Sequence, residues 1–417
     1  MLTSPHRLFL LTSTFLASFF IACTEEPLST DLSGDTFTVR DTLLSRINGF
    51  IYQVPPEMGI DKHLYLGIYN GYNNPFALLK MNTYSVENPN FTWAHFLDST
   101  ITIGHIDSAF FTLTYDDSVF DAEAKFHLYY FPNGPDSIFS EKASNYNNLQ
   151  LDQLLPEAEL IEEQTIRSDS ASKFLRFSLM NDLATLLDTT GAGPNHVFLL
   201  TYDSTTTAGL FPFKSSESLT GRPQISVYYR RQLVADTTDT TTAPFDTSSH
   251  TFIPIADLSI LIPPPVAEDD TTTCCTVSRG MGLKSVIFLP ELDSLILPAE
   301  ATIHKAELTF FNSDTTTDYG FYLYPLVDSV TTAEFSLMED YEVEPTLGSF
   351  AKVAGNGLVT MEIKGFIQRY HFQDVANLGL KLESTSQNSP FEVVHLNFSE
   401  SDSLLPKPRL TIQYVAP

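Results

Sequence analysis

Short segments in which apolar and polar residues alternate dominate this chain, and a period of two predicts β-strands with one buried face. In Gln224-Ile-Ser-Val-Tyr-Tyr229, the side chains of Ile225, Val227 and Tyr229 fall on one side and Ser226 on the other. Arg409-Leu-Thr-Ile-Gln-Tyr414 repeats that phase with Leu410, Ile412 and Tyr414, and Thr411 opposite. Further strands are predicted over 77–81, 106–113, 126–129, 175–179 and 196–200, and again over 285–289, 303–310, 321–324, 359–363 and 378–382. Clusters of Gly, Pro, Asn and Asp such as Pro132-Asn-Gly-Pro-Asp136 separate them. Aromatic and β-branched residues fill the periodic segments, as strands prefer. A parallel α/β sheet needs a helix of about ten or more residues between strands, and that pattern is absent. The fold class expected is all-β. Leu149 to Glu163, rich in Leu, Glu and Gln, predicts a surface helix.

The strands recur in order. Phe213 to Tyr229 aligns without gaps on Phe398 to Tyr414, Ala77–Met81 on Ser285–Leu289, and Ile106–Leu113 on Ile303–Phe310. Phe126-His-Leu-Tyr129 aligns on Phe321-Tyr-Leu-Tyr324. Leu175–Leu179 and Asp182–Leu186 align on Val359–Ile363 and Phe366–Tyr370, each a strand leading into about one helical turn. This is a tandem duplication. Two antiparallel β-sandwich domains, of jelly-roll type, are expected at 36–231 and 250–417. A Thr/Asp-rich linker at 232–249 joins them, reading DTTDTTTAPFDTSS from Asp236 to Ser249.

Residues 1–23 read as an export signal of the lipoprotein type. Arg7 precedes an apolar run from Leu8 to Phe20, which is shorter than the roughly 20 apolar residues of a membrane span. The run ends in Phe20-Ile21-Ala22-Cys23, a lipobox in which small Ala22 precedes the cut and the Cys23 thiol takes the lipid. An ordinary cleaved signal with an incidental cysteine is the competing reading. A polar tether at 24–35 follows. The expected location is the outer membrane or cell surface, held by lipid alone. Of the other two cysteines, Cys274 and Cys275 are adjacent. They make no disulfide framework and a poor metal site, so a loop or strand-end oddity is the plain reading.

The formal charge is −28, from 51 acids against 23 bases, which opposes nucleic acid and anionic membrane surfaces as partners. The 43% hydrophobic fraction supplies real cores. No Gly-x-Ser-x-Gly elbow, phosphate-cradling glycine loop or helical His pair occurs. Two similar copies without distinguishing chemistry argue against an enzyme.

The run Leu358 to Ile363, then Phe366 to Tyr370, Asn377 to Leu380 and Phe398 to Tyr414, resembles the C-terminal half of a DNRLRE-type domain. That family is similar to polysaccharide-binding modules of the jelly-roll class. Its Asp-bearing strand end and helical Trp are replaced here by Lys364 and Tyr370. The Cys-acidic tether and the Ile106-Asp-Ser-Ala109 strand resemble exported lipoproteins of Bacteroidetes-like bacteria. The resemblance implies the fold first and a glycan partner second.

Alternation places Phe126 and Leu128, and likewise Phe321 and Leu323, on the core side. His127 and Tyr129 in one copy, and Tyr322 and Tyr324 in the other, then occupy the opposite face, where exposed rings can stack on the C–H faces of sugars. Burial of these rings under a loop is the plain alternative. Trp93 is expected to pack in a core or loop. Asp116, Asp117 and Asp121, and also Glu268, Asp269 and Asp270, are candidate structural calcium ligands, with a solvated acidic turn as the default. No other cofactor is expected. The expected function is a non-catalytic envelope lipoprotein displaying tandem sandwiches that bind a polysaccharide. The alternative is a structural or protein-interaction component of an envelope assembly.

Overall fold

The computed structural model describes residues 38–416 apart from 98–104, 117–118, 121–122, 133–137, 168–172, 184–185, 187–195, 204–208, 233–244, 267–273, 313–317, 331–333 and 398–406. In chain order the strands of the first half are β1 (Thr38–Leu44), β2 (Asn48–Gln53), β3 (His63–Tyr69), β4 (Tyr72–Asn74), β5 (Phe76–Met81), β6 (Ile106–Thr114), β7 (Val119–Phe120), β8 (Glu123–Tyr130), β9 (Glu159–Arg167), β10 (Phe174–Ser178), β11 (His196–Tyr202), β12 (Gly209–Lys214) and β13 (Gln224–Gln232). Those of the second half are β14 (Phe245–Phe252), β15 (Pro254–Ser259), β16 (Cys274–Val277), β17 (Leu283–Phe288), β18 (Thr302–Phe311), β19 (Gly320–Pro325), β20 (Ser349–Lys352), β21 (Leu358–Glu362), β22 (Leu380–Ser384), β23 (Val394–Asn397) and β24 (Arg409–Ala416).

They form two all-β sandwiches whose named strands pair antiparallel. In the first, the sheet β14-β13-β6-β10 packs on β15-β5-β11-β8-β9. Ala109, Phe111, Ile225 and Val227 from one sheet meet Leu79, Phe126, Leu128 and Phe198 from the other. In the second, β1-β24-β18-β21 packs on β2-β17-β22-β19-β20, burying Ala306, Leu308, Leu410 and Ile412 against Ile287, Phe321, Leu323 and Leu382. A smaller sheet extends each sandwich, β4-β3-β12-β7 in one and β16-β23 in the other.

The registers reproduce the sequence repeat residue by residue. Ile225 faces Phe111 as Leu410 faces Leu308. Phe177 faces Phe111 as Met361 faces Leu308. A bulge recurs at the same place: Tyr228 pairs Ser108 but Tyr229 pairs Ile106, and Gln413 pairs Lys305 but Tyr414 pairs Ile303.

The domain boundaries need correction. β1 and β2 open the chain but pair with β24 and β17 of the second sandwich. β14 and β15 follow the linker but pair with β13 and β5 of the first. Each half therefore gives its first two strands to the other, so neither 36–231 nor 250–417 is a self-contained sandwich. The linker is shorter than 232–249, because Phe245–Phe252 is strand β14. Its side chains from Asp246 to Ser249 are exposed, which is why an edge strand reads as a polar connector.

The helix expected over Leu149–Glu163 is confined to one turn, α1 (Leu151–Leu154), followed by a 3-10 turn with Pro156 near its start. From Glu159 the chain is strand β9 on β8. The helical turn expected near Phe366 is α2 (Lys364–His371), which buries Phe366 and Ile367. Its Gln368 side chain accepts the Ile303 backbone N–H at 2.8 Å.

The sandwiches also share an apolar seam, in which Ile51, Met281 and Leu283 of the second pack with Tyr65, Tyr72, Leu78 and Leu199 of the first. Phe391 lies edge-on to Tyr65, Tyr69 and Tyr72 with ring centroids 5.0–5.3 Å away. A buried Arg279–Asp61 ion pair of 2.5 Å crosses the same seam.

Candidate functional site

The outer face of the sheet β2-β17-β22-β19-β20 is half covered and half open. Its covered half lies beneath the segment that leads from β19 to β20: Leu326, Leu337, Tyr341 and Val343 close over Tyr52 and Val286. A charged network is trapped there. Asp340 accepts from the Tyr52 hydroxyl at 2.7 Å, Lys284 at 2.6 Å and Lys381 at 2.8 Å, and Glu383 takes Lys284 at 2.8 Å. Burial opposes the Asp340 charge, but Lys284 and Lys381 outweigh it and hold its carboxyl down at about 2. Burial, and then Asp340, push the Tyr52 hydroxyl far above its ordinary range.

On the open half, β19 presents Tyr322 and Tyr324, with ring centroids 5.7 Å apart. Strand β20 sets Phe350 opposite Tyr322 in register, at 5.6 Å. Tyr322 is 37% exposed and Phe350 52%. Tyr324 is half-buried, because Gly348 lies against its ring: a Cβ there would stand 2.4 Å from Cε1. The exposed ledge is therefore Tyr322 with Phe350.

The first sandwich departs from this at the same positions. His127 occupies the place of Tyr322, and its register partner on β9 is Glu163 where the second sandwich has Phe350. His127 Nδ1 and Glu163 Oε1 are 3.1 Å apart, and Lys125 reaches the same carboxylate at 2.5 Å. Tyr129 is half-buried and packs against the seam. The four aromatic positions selected from the sequence thus lie on outer faces, but at these positions only the second sandwich keeps an open pair of rings. Phe350 carries no sequence signal for this role, because alternation alone would turn a phenylalanine inward; only the structure shows that Ala351, not Phe350, is the buried residue of Ser349-Phe-Ala-Lys352.

Trp93 is 2% exposed, stacked on Phe252 at 4.2 Å, and its Nε1 donates to the Asn82 carbonyl. It is core. Cys275 is buried beside Val277 on β16. Of the candidate calcium ligands, Asp116 already engages His63 Nε2 at 2.8 Å and the Lys214 ammonium. Asp117, Asp121 and Glu268 to Asp270 lie outside the described residues, as does Cys23. Among the described residues there is no group of three metal-ligating side chains and no helix long and apolar enough to cross a membrane.

No family model, curated protein or solved structure matches the chain. The geometry of the face carries the functional reading.

Proposed function

We propose that the protein is a non-catalytic envelope lipoprotein, anchored through Cys23 at the outer membrane or cell surface, whose second sandwich binds a polysaccharide. The observation that supports this is the Tyr322–Phe350 ledge, two adjacent rings left in solvent on the open half of the sheet. Flat aromatic surfaces bordered by hydrogen-bonding groups suit the C–H faces of pyranose rings. The first sandwich, with His127–Glu163 in the same place, serves as the partner that completes the fold. A second reading, an interaction component of an envelope assembly, draws on edge strand β1, where Val39 and Leu43 are 59% and 60% exposed.

The test is a glycan array probed with residues 24–417, with and without calcium. Binding is expected to fall at least tenfold in Tyr322→Ala and in Phe350→Ala and to persist in His127→Ala. Retention by Tyr322→Ala with loss in His127→Ala would place the site on the other sandwich. A blank array would favour the interaction reading.

A further inference from the structure

Two depressions flank the Tyr322 ring. One has a volume of about 270 Å³ and is lined by Val54, Pro55, Glu57, Tyr324 and Glu383. The other, of about 350 Å³, is bordered by Asp318, Phe350, Lys352 and Gln387. Tyr322 belongs to both. Against the roughly 300–1,000 Å³ of ligand sites, one falls just below that range and the other at its small end. The first wall is the segment that crosses between sandwiches after β2, so the groove exists only in the strand-exchanged fold.

Every cation bordering this groove is already committed to an acid. Arg279 pairs with Asp61 at 2.5 Å, Lys284 with Asp340 and Glu383 at 2.6 and 2.8 Å, and Lys352 with Asp318 at 2.8 Å. Glu57 is exposed and adds a further carboxylate to the wall. The whole chain carries −28. A uronate or sulfate would meet repulsion both locally and at long range, and would compete with an acid for each of these cations. Hydroxyl groups suit the same lining well, because carboxylates and a side-chain amide accept and donate to them.

Resting on the glycan-binding reading above, we infer that the ligand is a neutral polysaccharide whose chain crosses the Tyr322 ring and places one sugar in each depression. Glu57 and Glu383 accept hydroxyl hydrogen bonds on one side, and Gln387 contacts the sugar on the other.

Affinity electrophoresis of residues 24–417 in gels containing a neutral glucan, a galactomannan, a polyuronate or a sulfated galactan tests this. Retardation is expected only in neutral gels and is expected to be indifferent to added salt. Tyr322→Ala and the more exposed Phe350→Ala each weaken it at least tenfold, with unchanged melting as the folding control. Titration with oligosaccharides of the retained polymer should show affinity rising at least tenfold from the mono- to the disaccharide. Salt-sensitive retardation by the polyuronate or sulfated gel overturns the neutral-ligand inference while leaving glycan binding in place. A monosaccharide that binds as tightly as longer chains overturns the two-depression arrangement. Migration unaffected in all four gels removes the glycan reading and this inference together.

Discussion

Asp257 is fully buried on β15, the strand the second half gives to the first sandwich. One oxygen accepts the Ser216 N–H at 2.6 Å, and the other has no hydrogen-bond partner. The Asp257 backbone N–H donates to Glu141 at 2.8 Å. Burial, and then the Glu217 charge, push the Asp257 carboxyl up to about 8. The folded value lies above the unfolded one. Well below pH 4 the group is protonated in both states and costs nothing. As pH rises, the unfolded chain releases the proton first, so stability is lost progressively until about pH 8. Asp257→Asn keeps an acceptor for Ser216 and removes this penalty. Denaturant unfolding should find the variant more stable than the parent at pH 8 by a few kcal/mol and nearly equal at pH 4. Parallel pH profiles for the two proteins would show that Asp257 is not the titrating group. Gly348 is a residue of another kind: with an ordinary φ of −64°, it is needed for closeness to Tyr324 rather than for backbone freedom.

Strand exchange is the main event at the level of elements. β1 and β2 bring Leu44, Ile51 and Tyr52 into buried positions, each worth about 1.5–3 kcal/mol when fully removed from water. The second sandwich therefore depends on the N-terminal segment 38–53. Asp41 lies opposite Gln413 on β24, and their side chains hydrogen-bond at 3.0 Å. Without exchange, the repeat would set residue 41 opposite Tyr228, where Ser249 now sits. Mild oxidation should therefore close an internal disulfide in Asp41→Cys/Gln413→Cys but leave Asp41→Cys/Tyr228→Cys reduced, as read on a non-reducing gel. The opposite pattern would refute the exchange. Within each half, the central repeated strands such as Ile106–Leu113 and Ile303–Phe310, their core faces and the equivalence of Phe111 with Leu308 were legible in the sequence, because alternation is a local signal, whereas β9 read as a helix and β14 as a linker. The exchange was not. β1 and β14 are equivalent edge strands, ending in Leu44 and Phe252 at matching register, and either fits either sandwich by pattern. Only the path of the chain decides. For the same reason Tyr322 and Tyr324 could be placed on an outer face, but the wall at Val54–Glu57 could not, since a segment from the other half supplies it.

Taken whole, the molecule is not a pair of beads on a string. Two features couple the sandwiches: each contains strands from both halves, and the seam around Phe391, Tyr65 and Tyr72 is continuous apolar packing. Domains joined only by a flexible linker unfold separately, with two transitions. Here the loss of one sandwich withdraws two strands from the other and exposes the seam, so neither half retains a complete fold alone. Calorimetry should show a single transition whose calorimetric and van't Hoff enthalpies agree. Phe391→Ala, which empties the space among three tyrosines, should lower that midpoint by a few degrees and leave it single, because the exchanged strands still bind the halves together. Two resolved transitions in the parent protein would mean that the strands are held too weakly to couple the sandwiches. The first described strand, β1, pairs with β24 in the sandwich that carries the Tyr322 ledge, so the N-terminal end of the described chain is tied to that sandwich without crossing the linker.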